Sequence, residues 1–256
     1  MSLRIDIGWL IATLLVSARV AAATMIAPVL GPMQIPATAR IVLVIGLSAF
    51  IVAALPITAA SMPTNVFALA AAALSEVIYG LAFAFGFIVA YSATQLAGRA
   101  LDVQVGFGAA AVLNPATRAF SPLLGSVFGM LMIAAFLALD GHLVLIKALA
   151  ASITAVPPGA ALTGLPAAVI VKHSALTFTF GLAFAAPVMF MLLLADLAMA
   201  VFARSMPQLN VFVLGFAVKI VLGLTGLALA IRFASAALER LFDASFLYWD
   251  QLAGGP

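Results

Sequence analysis

A succession of long apolar runs, almost free of charge, constrains this chain more than any other feature. About six segments approach or exceed the ~20 mostly apolar residues that a helix needs to cross ~30 Å of hydrocarbon. They cover residues 7–30, 40–62, 66–97, 123–151, 167–202 and 211–237. Each run is continuous. Membrane β-strands instead alternate apolar and polar residues over about 10 positions. Alanine-rich stretches such as residues 67–74 are also good helix formers. The expected fold class is therefore all-α: a polytopic membrane protein with about six apolar helical segments, some kinked, broken or not conventionally spanning.

Composition excludes the soluble alternatives. Apolar residues make up 66% of the 256 positions and charged residues 7%, where a soluble domain carries roughly 25% charged. Seven per cent could not coat a water-exposed surface. No polar stretch is long enough for a separate soluble domain, so residues 1–256 read as a single membrane domain. The net charge of +3 is scattered, and no Lys/Arg run suits nucleic acid. Cysteine is absent, which removes disulfide and thiol chemistry. Arg4, an apolar run and Ala21 to Ala23 imitate a signal peptide, but Arg19 and the apolar run through Leu30 favour a retained first span.

Glycine and proline punctuate the runs. Gly31, Pro32 and Pro36 end the first, and Pro63 the second. The third is too long for one simple span, with Glu76, Gly80 and Gly86 marking where it bends, tilts or leaves lipid. Asp140-Gly141-His142 lies inside the fourth. Pro187 lies inside the overlong fifth, and Pro207-Gln208-Leu209-Asn210 reads as a tight turn before the sixth. Arg40, Arg99, Arg118 and Arg204 fall in alternate connectors, which the positive-inside rule places in the cytoplasm.

Catalytic machinery is sparse. His142 and His173 are the two imidazoles, and neither sits in a cluster with metal-ligand spacing. Gly106-Phe107-Gly108 lacks the strand, helix and Lys-Ser/Thr of a phosphate loop. No serine lies in a nucleophile elbow. The expectation is a protein with no enzymatic activity, cofactor or metal. Glu76, Asp140, Lys147, Lys172, Asp196, Lys219 and Arg232 lie in or beside apolar runs. Facing lipid at a helix centre, each would cost at least about 2.5–3.5 kcal/mol. Buried pairing between helices, or placement near the interface, is favoured over an ion pathway. Trp9, Tyr79, Tyr91, Tyr248 and Trp249 read as interface anchors.

The connector over residues 98–122 is the most unusual segment. It carries Arg99, Asp102 and Gln104, and is broken by Gly106, Gly108, Asn114-Pro115 and Pro122, yet Phe107, residues 109–113 and Phe120 keep it apolar. Irregular backbone of this kind is tolerated at membrane depth where it is buried in protein or lines a cavity. Such a loop suits a plug beside a central path.

In order and spacing, these residues resemble the FliR family of the flagellar type III export apparatus. The likeness covers nearly the whole chain. It runs from Pro28, Ile35-Pro36 and Arg40 through Glu76, Gly80 and Gly86. It continues through Gln95-Leu96-Ala97-Gly98, Asp102, Gln104, Gly106, Asn114-Pro115 and Pro122. Asp140-Gly141-His142, Ser152, Pro157 to Gly159, Arg204, the run from Pro207 to Phe212 and Lys219 complete it. The resemblance implies a structural subunit that forms, with FliP- and FliQ-like partners, a gated pore for exported unfolded flagellar proteins. FlhB- and FlhA-like export proteins would associate with it. Its place would be the bilayer of the bacterial inner membrane, in the flagellar basal body. It implies a pore plug over residues 106–122, including Gly106, Phe107, Gly108, Leu113, Asn114, Pro115 and Pro122. It also implies inter-helix or inter-subunit polar contacts by Glu76, Arg99, Asp102, Gln104, Asp140, His142, Arg204, Gln208, Asn210 and Lys219. Asn114 stands where the family usually has Asp, and Ala217 where a proline is common. The related SctT family of virulence injectisomes is one alternative. A secondary transporter or channel is another, but it predicts internal repeats and paired broken helices, and no such repeat links the two halves.

Overall fold

The computed structural model describes residues 7–25, 36–55, 65–107, 122–160, 162, 166–206 and 211–254, with the side chains of residues 211–212 and 230–235 left aside. Their regular secondary structure is helical, without strands. The helices are α1 (Ile7–Met25), α2 (Ala37–Ala54), α3 (Val66–Val105), α4 (Leu123–Ala138), α5 (Gly141–Ala155), α6 (Ala167–Ser174), α7 (Leu176–Ser205) and α8 (Val211–Leu252). Pro36, Pro122 and Pro166 immediately precede α2, α4 and α6. The fixed φ of proline suits a helix start, where its missing N–H has no partner to lose. Pro187 lies inside α7, a position tolerated in membrane helices when neighbours satisfy the freed carbonyl.

Among the described residues four helical stretches are long and apolar enough to cross a membrane: α1, α2, α3 and the joined α6–α7 stretch Ala167–Ser205. A fifth is reached if α4 and α5 together form one broken span. In α8 the apolar piece is Val213–Leu229. The 40 residues of α3 correspond to a helix about 60 Å long, and the 42 of α8 to about 63 Å. Both are roughly twice the hydrocarbon thickness.

Three boundaries differ from the sequence expectation. Residues 98–105, read as connector, continue α3 as helix. Their polar residues lie on a helix that buries Asp102 and half-buries Gln104. The fourth segment is broken: Asp140 adopts a left-handed φ of 54° between α4 and α5, a conformation that an aspartate tolerates better than most residues. The sixth segment runs on from residue 237 to Leu252. Its last turns are buried, with Tyr248 and Trp249 at 2% and 0% exposure. Those two residues and buried Tyr79 therefore belong to helix packing and are not interface anchors.

The chain forms two compact units. The first spans Met1–Val89, Leu137–Ser174 and Asp243–Pro256, and so holds α1, α2, α5, α6, residues 66–89 of α3 and residues 243–252 of α8. Ala12, Val16 and Val20 of α1 pack with Val44, Ile51 and Val52 of α2 and with Ile153 of α5. Their spacing places one stripe of each helix inward. A Cβ on Gly80 would run into the Arg19 carbonyl and come within 2.7 Å of Ala22 Cβ, so α1 and α3 touch backbone to backbone there.

The second unit spans Ala90–Phe136 and Ala175–Phe242. Small residues again set its crossings, as expected where van der Waals packing replaces the hydrophobic effect. A Cβ on Gly98 would strike the backbone of Gly125. One on Gly181 would sit 3.0 Å from the Ala93 carbonyl, and one on Gly223 would sit 2.6 Å from Val105 Cγ2. On the outside, α7 exposes Phe178, Leu182, Phe190, Leu193, Leu197 and Val201. Each would forgo roughly 1.5–3 kcal/mol if left in water. Lipid or another protein must cover this face.

Candidate functional site

The first unit buries a charged node. Arg19 on α1 is fully buried and Glu76 on α3 is 1% exposed. Arg19 Nε donates to Glu76 Oε2 at 2.6 Å. Its other nitrogens donate to Ser152 Oγ on α5 and to the Val156 carbonyl, both at 3.1 Å. The guanidinium lies 5.0 Å from the centroid of the Tyr79 ring, a cation–π distance. The second oxygen of Glu76 accepts the Gly159 N–H at 3.2 Å. One ion pair thus ties α1, α3, α5 and the turn after α5. Sequence reasoning singled out Glu76 but used Arg19 only to argue against a signal peptide. An arginine inside an apolar run, with Glu76 the first of three carboxylates in or beside later runs, was the signal for the pair.

A second buried cluster fastens the end of α8 to α3. Tyr248 donates to the Ala82 carbonyl at 2.9 Å, and Trp249 Nε1 to the Phe83 carbonyl at 2.8 Å. The His173 ring stacks on Tyr248 at 4.2 Å, and its Nε2 lies 3.2 Å from the Gly86 carbonyl. Gly86 leaves room for both aromatic rings, since a Cβ there would meet Trp249 and sit 2.8 Å from Tyr248 Cδ1.

The second unit holds the polar residues around the apolar connector. α3 ends at Gly106, whose φ of 99° is the left-handed turn that glycine allows. The N–H groups of Gly106 and Phe107 both return to the Asp102 carbonyl, at 3.2 and 3.0 Å. The Asp102 side chain, fully buried, faces the start of α4. Its Oδ1 accepts Leu124 N–H at 3.0 Å and its Oδ2 accepts Gly125 N–H at 3.2 Å. These first-turn N–H groups have no partner within their own helix, and a carboxylate also suits the positive helix end. Gln95 Nε2 donates to the Gly125 carbonyl at 2.7 Å. Gln104 Nε2 donates to the Met189 carbonyl of α7 at 2.9 Å.

The remaining expected residues are placed as follows. Lys219 of α8 pairs with Asp196 of α7 at 2.5 Å, both partly exposed. Arg99 is exposed and lines a groove of about 330 Å³ with Tyr91, Gln95, Thr177 and Phe178. Asp140 and Arg204 are exposed, and His142 is half-buried with Nδ1 lacking a hydrogen-bond partner. Lys147 and Lys172 are exposed. Of the plug residues, Gly106, Phe107 and Pro122 are described; Gly108, Leu113, Asn114 and Pro115 lie outside the described residues, as do Gln208 and Asn210. Among the described residues no three His, Asp or Glu side chains converge as a metal site would require.

Long apolar helices joined through buried polar contacts, with glycines at their crossings, define a polytopic helical membrane protein. The chain belongs to the bacterial export proteins, family 1, which it matches over residues 10–245. It is 29% identical to the flagellar biosynthetic protein FliR of Escherichia coli over 229 residues, covering 89% of this chain and 87% of the relative. It is 30% identical to that of Bacillus subtilis over 175 residues, covering 67% and 68%. The secretion system apparatus protein SsaT of Salmonella typhimurium is 29% identical over 175 residues, covering 68% and 67%.

Proposed function

We propose that this chain is a subunit of the flagellar type III protein export gate, acting as one functional domain over residues 1–256. With FliP- and FliQ-like subunits it forms a gated pore for unfolded flagellar proteins, and FlhB- and FlhA-like proteins associate with it. It resides in the inner membrane, in the flagellar basal body, and does no enzymatic chemistry. The connector over residues 106–122 is the plug of the closed pore.

The likeness to flagellar FliR proteins along most of the chain carries this reading. The fold supports it in two ways. Apolar surface on α7 needs a cover, and partner subunits supply one. The apolar connector leaves α3 and rejoins α4 between anchored ends, which suits a loop that must hold a fixed position. The likeness to SsaT keeps a second reading open, an SctT-like injectisome subunit. Restored motility on expression in a strain lacking its own FliR favours the flagellar role, and failure there with restored injectisome secretion favours the other.

Removing residues 108–113 tests the plug while sparing Gly106, Asp102 and Pro122. The variant is expected to assemble with its partners and to let small solutes cross the membrane. Normal tightness of an assembled deletion variant would refute the plug.

A further inference from the structure

One cation of the second unit has no counter-charge. The Arg99 guanidinium makes no ion pair or hydrogen bond with any described residue. Two carboxylates of its own unit are already engaged: Asp102 caps α4, and Asp196 pairs with Lys219. Arginine cannot shed its charge, so Arg99 needs an anion or water. Its setting is a groove of about 330 Å³. Tyr91, Gln95 and Arg99 follow one another turn by turn along one face of α3, and Thr177 and Phe178 of α7 form the facing wall. Gln95 is held by the Gly125 carbonyl, so the α3 wall is fixed in advance. Among the described lining residues Arg99 is the one charge.

The packing sets the depth of this charge. Gly181 of α7 lies against Ala93 and Leu96 of α3, and Gln104 reaches the Met189 carbonyl. Arg99 falls between these two levels, beside the middle of the apolar stretch Ala167–Ser205. Where that stretch crosses hydrocarbon, about 15 Å separates its middle from either headgroup layer, and snorkelling serves residues near helix ends. Phe178 and Leu182 of α7 are exposed and apolar, which is a poor surface to leave in water. A phospholipid would cover those two side chains but would leave the guanidinium in its acyl chains. A protein helix can cover them and also bring an anion to mid-depth.

We propose that this groove is a docking site for an apolar helix of a neighbouring membrane subunit, one that sets an Asp or Glu carboxylate against Arg99. The paired N–H donors of a guanidinium match both oxygens of a carboxylate. An arginine beside aromatic side chains is also the composition that dominates binding at interfaces. A groove of this size admits a few side chains, so the partner lays one helix face over it. The inference rests on the reading of this chain as a subunit of the export gate, and it names what one neighbour must carry.

The test uses the full chain expressed with its proposed FliP- and FliQ-like subunits. p-Benzoylphenylalanine in place of Phe178 is activated by light in intact membranes, and the attached peptide is identified by mass spectrometry. The expected adduct is an apolar segment of a partner subunit with Asp or Glu within one helical turn. In parallel, Arg99→Gln is expected to release that subunit from the solubilised complex at least about tenfold faster than wild type. The amount of chain in the membrane should not change, because Arg99 bonds nothing among the described residues. Arg99→Glu should release it faster still, and reversal of the identified carboxylate to lysine should restore retention. A phospholipid adduct, an adduct to a second copy of this chain, or a partner segment without a nearby carboxylate would overturn the proposal. Loss of both Arg99 variants from the membrane would overturn it too, by assigning Arg99 to the chain's own fold. No adduct, with both variants retaining their partners as wild type does, would overturn the docking site and leave the export-gate reading standing. An adduct to a carboxylate-bearing helix of a different membrane complex, with rescue by charge exchange, would keep the docking site and overturn that reading.

Discussion

Separating Arg19 from Glu76 should have unequal consequences depending on which partner is removed. Both side chains are essentially without exposure. Glu76→Leu leaves a guanidinium that cannot shed its charge. It keeps Ser152, the Val156 carbonyl and the Tyr79 face, but loses its counter-ion. The Gly159 N–H loses its acceptor as well. Breaking a buried pair in this direction costs about 3–5 kcal/mol, roughly two to four orders of magnitude in the folding equilibrium. Arg19→Met is milder. A lone buried carboxyl can neutralise itself by binding a proton, Gly159 retains its bond, and Ser152 retains its bond to the Leu149 carbonyl. The expected cost is about 1–3 kcal/mol, chiefly for the unsatisfied groups. The double variant Arg19→Met/Glu76→Leu removes both charges and should recover close to wild type, since apolar replacement of a whole buried pair is often neutral or stabilising. The assay is the amount of chain in the membrane and the fraction copurifying with the proposed FliP- and FliQ-like subunits as the detergent extract is warmed. The order expected is wild type and double variant above Arg19→Met, and Arg19→Met above Glu76→Leu. An Arg19→Met variant as damaged as Glu76→Leu, or a double variant worse than either single one, would refute the reasoning.

Four further outcomes follow from the packing and the ion pair of the second unit. Gly98→Ala should weaken the α3–α4 crossing and lower the melting temperature of the complex, because its Cβ strikes Gly125 backbone that cannot rotate away. Gly46→Ala, with open space around it, should be neutral or stabilise by up to about 1 kcal/mol through helix propensity. Trp249→Ala should cost about 3–5 kcal/mol, seen as loss of folded chain, since it empties a fully buried site and leaves the Phe83 carbonyl without that donor. Charge reversal at Asp196 or Lys219 alone should reduce copurification of partners, while the exchanged pair Asp196→Lys/Lys219→Asp should restore it. Equal defects in the single and exchanged variants would show that the ion pair is not what these residues contribute.

The helical membrane fold was legible because apolar runs of this length leave few alternatives. Boundaries were harder to read where polar residues lie on helices. Asp102 and Gln104 look like loop residues in a hydropathy reading, yet they sit on the last turns of α3 and turn toward α4 and α7. Gly98 and Asp102, four residues apart, share one helix face and both meet the first turn of α4. That spacing was visible in the sequence, but the partner was not. Tyr248 and Trp249 resemble interface anchors because an aromatic with a polar tip suits both an interface and a buried hydrogen bond. Only tertiary packing against the Ala82 and Phe83 carbonyls separates the two. Asp140-Gly141 carried a turn signal inside an apolar run, and the break falls there. Glu76 was one of several charges that the sequence sets in apolar runs; it is buried and paired, whereas Asp140, Lys147 and Lys172, named on the same ground, are exposed.

The central claim is that residues 106–122 border the path of exported protein, and the absence of native cysteine allows a direct measurement. A single Leu113→Cys gate is assembled around a flagellar export substrate stalled in transit and carrying a thiol-reactive crosslinker. Phe190→Cys, on the exposed apolar face of α7, serves as the comparison. The account predicts a crosslink between the substrate and Leu113→Cys and none with Phe190→Cys. A substrate that crosslinks to neither, or to Phe190→Cys alone, would contradict it.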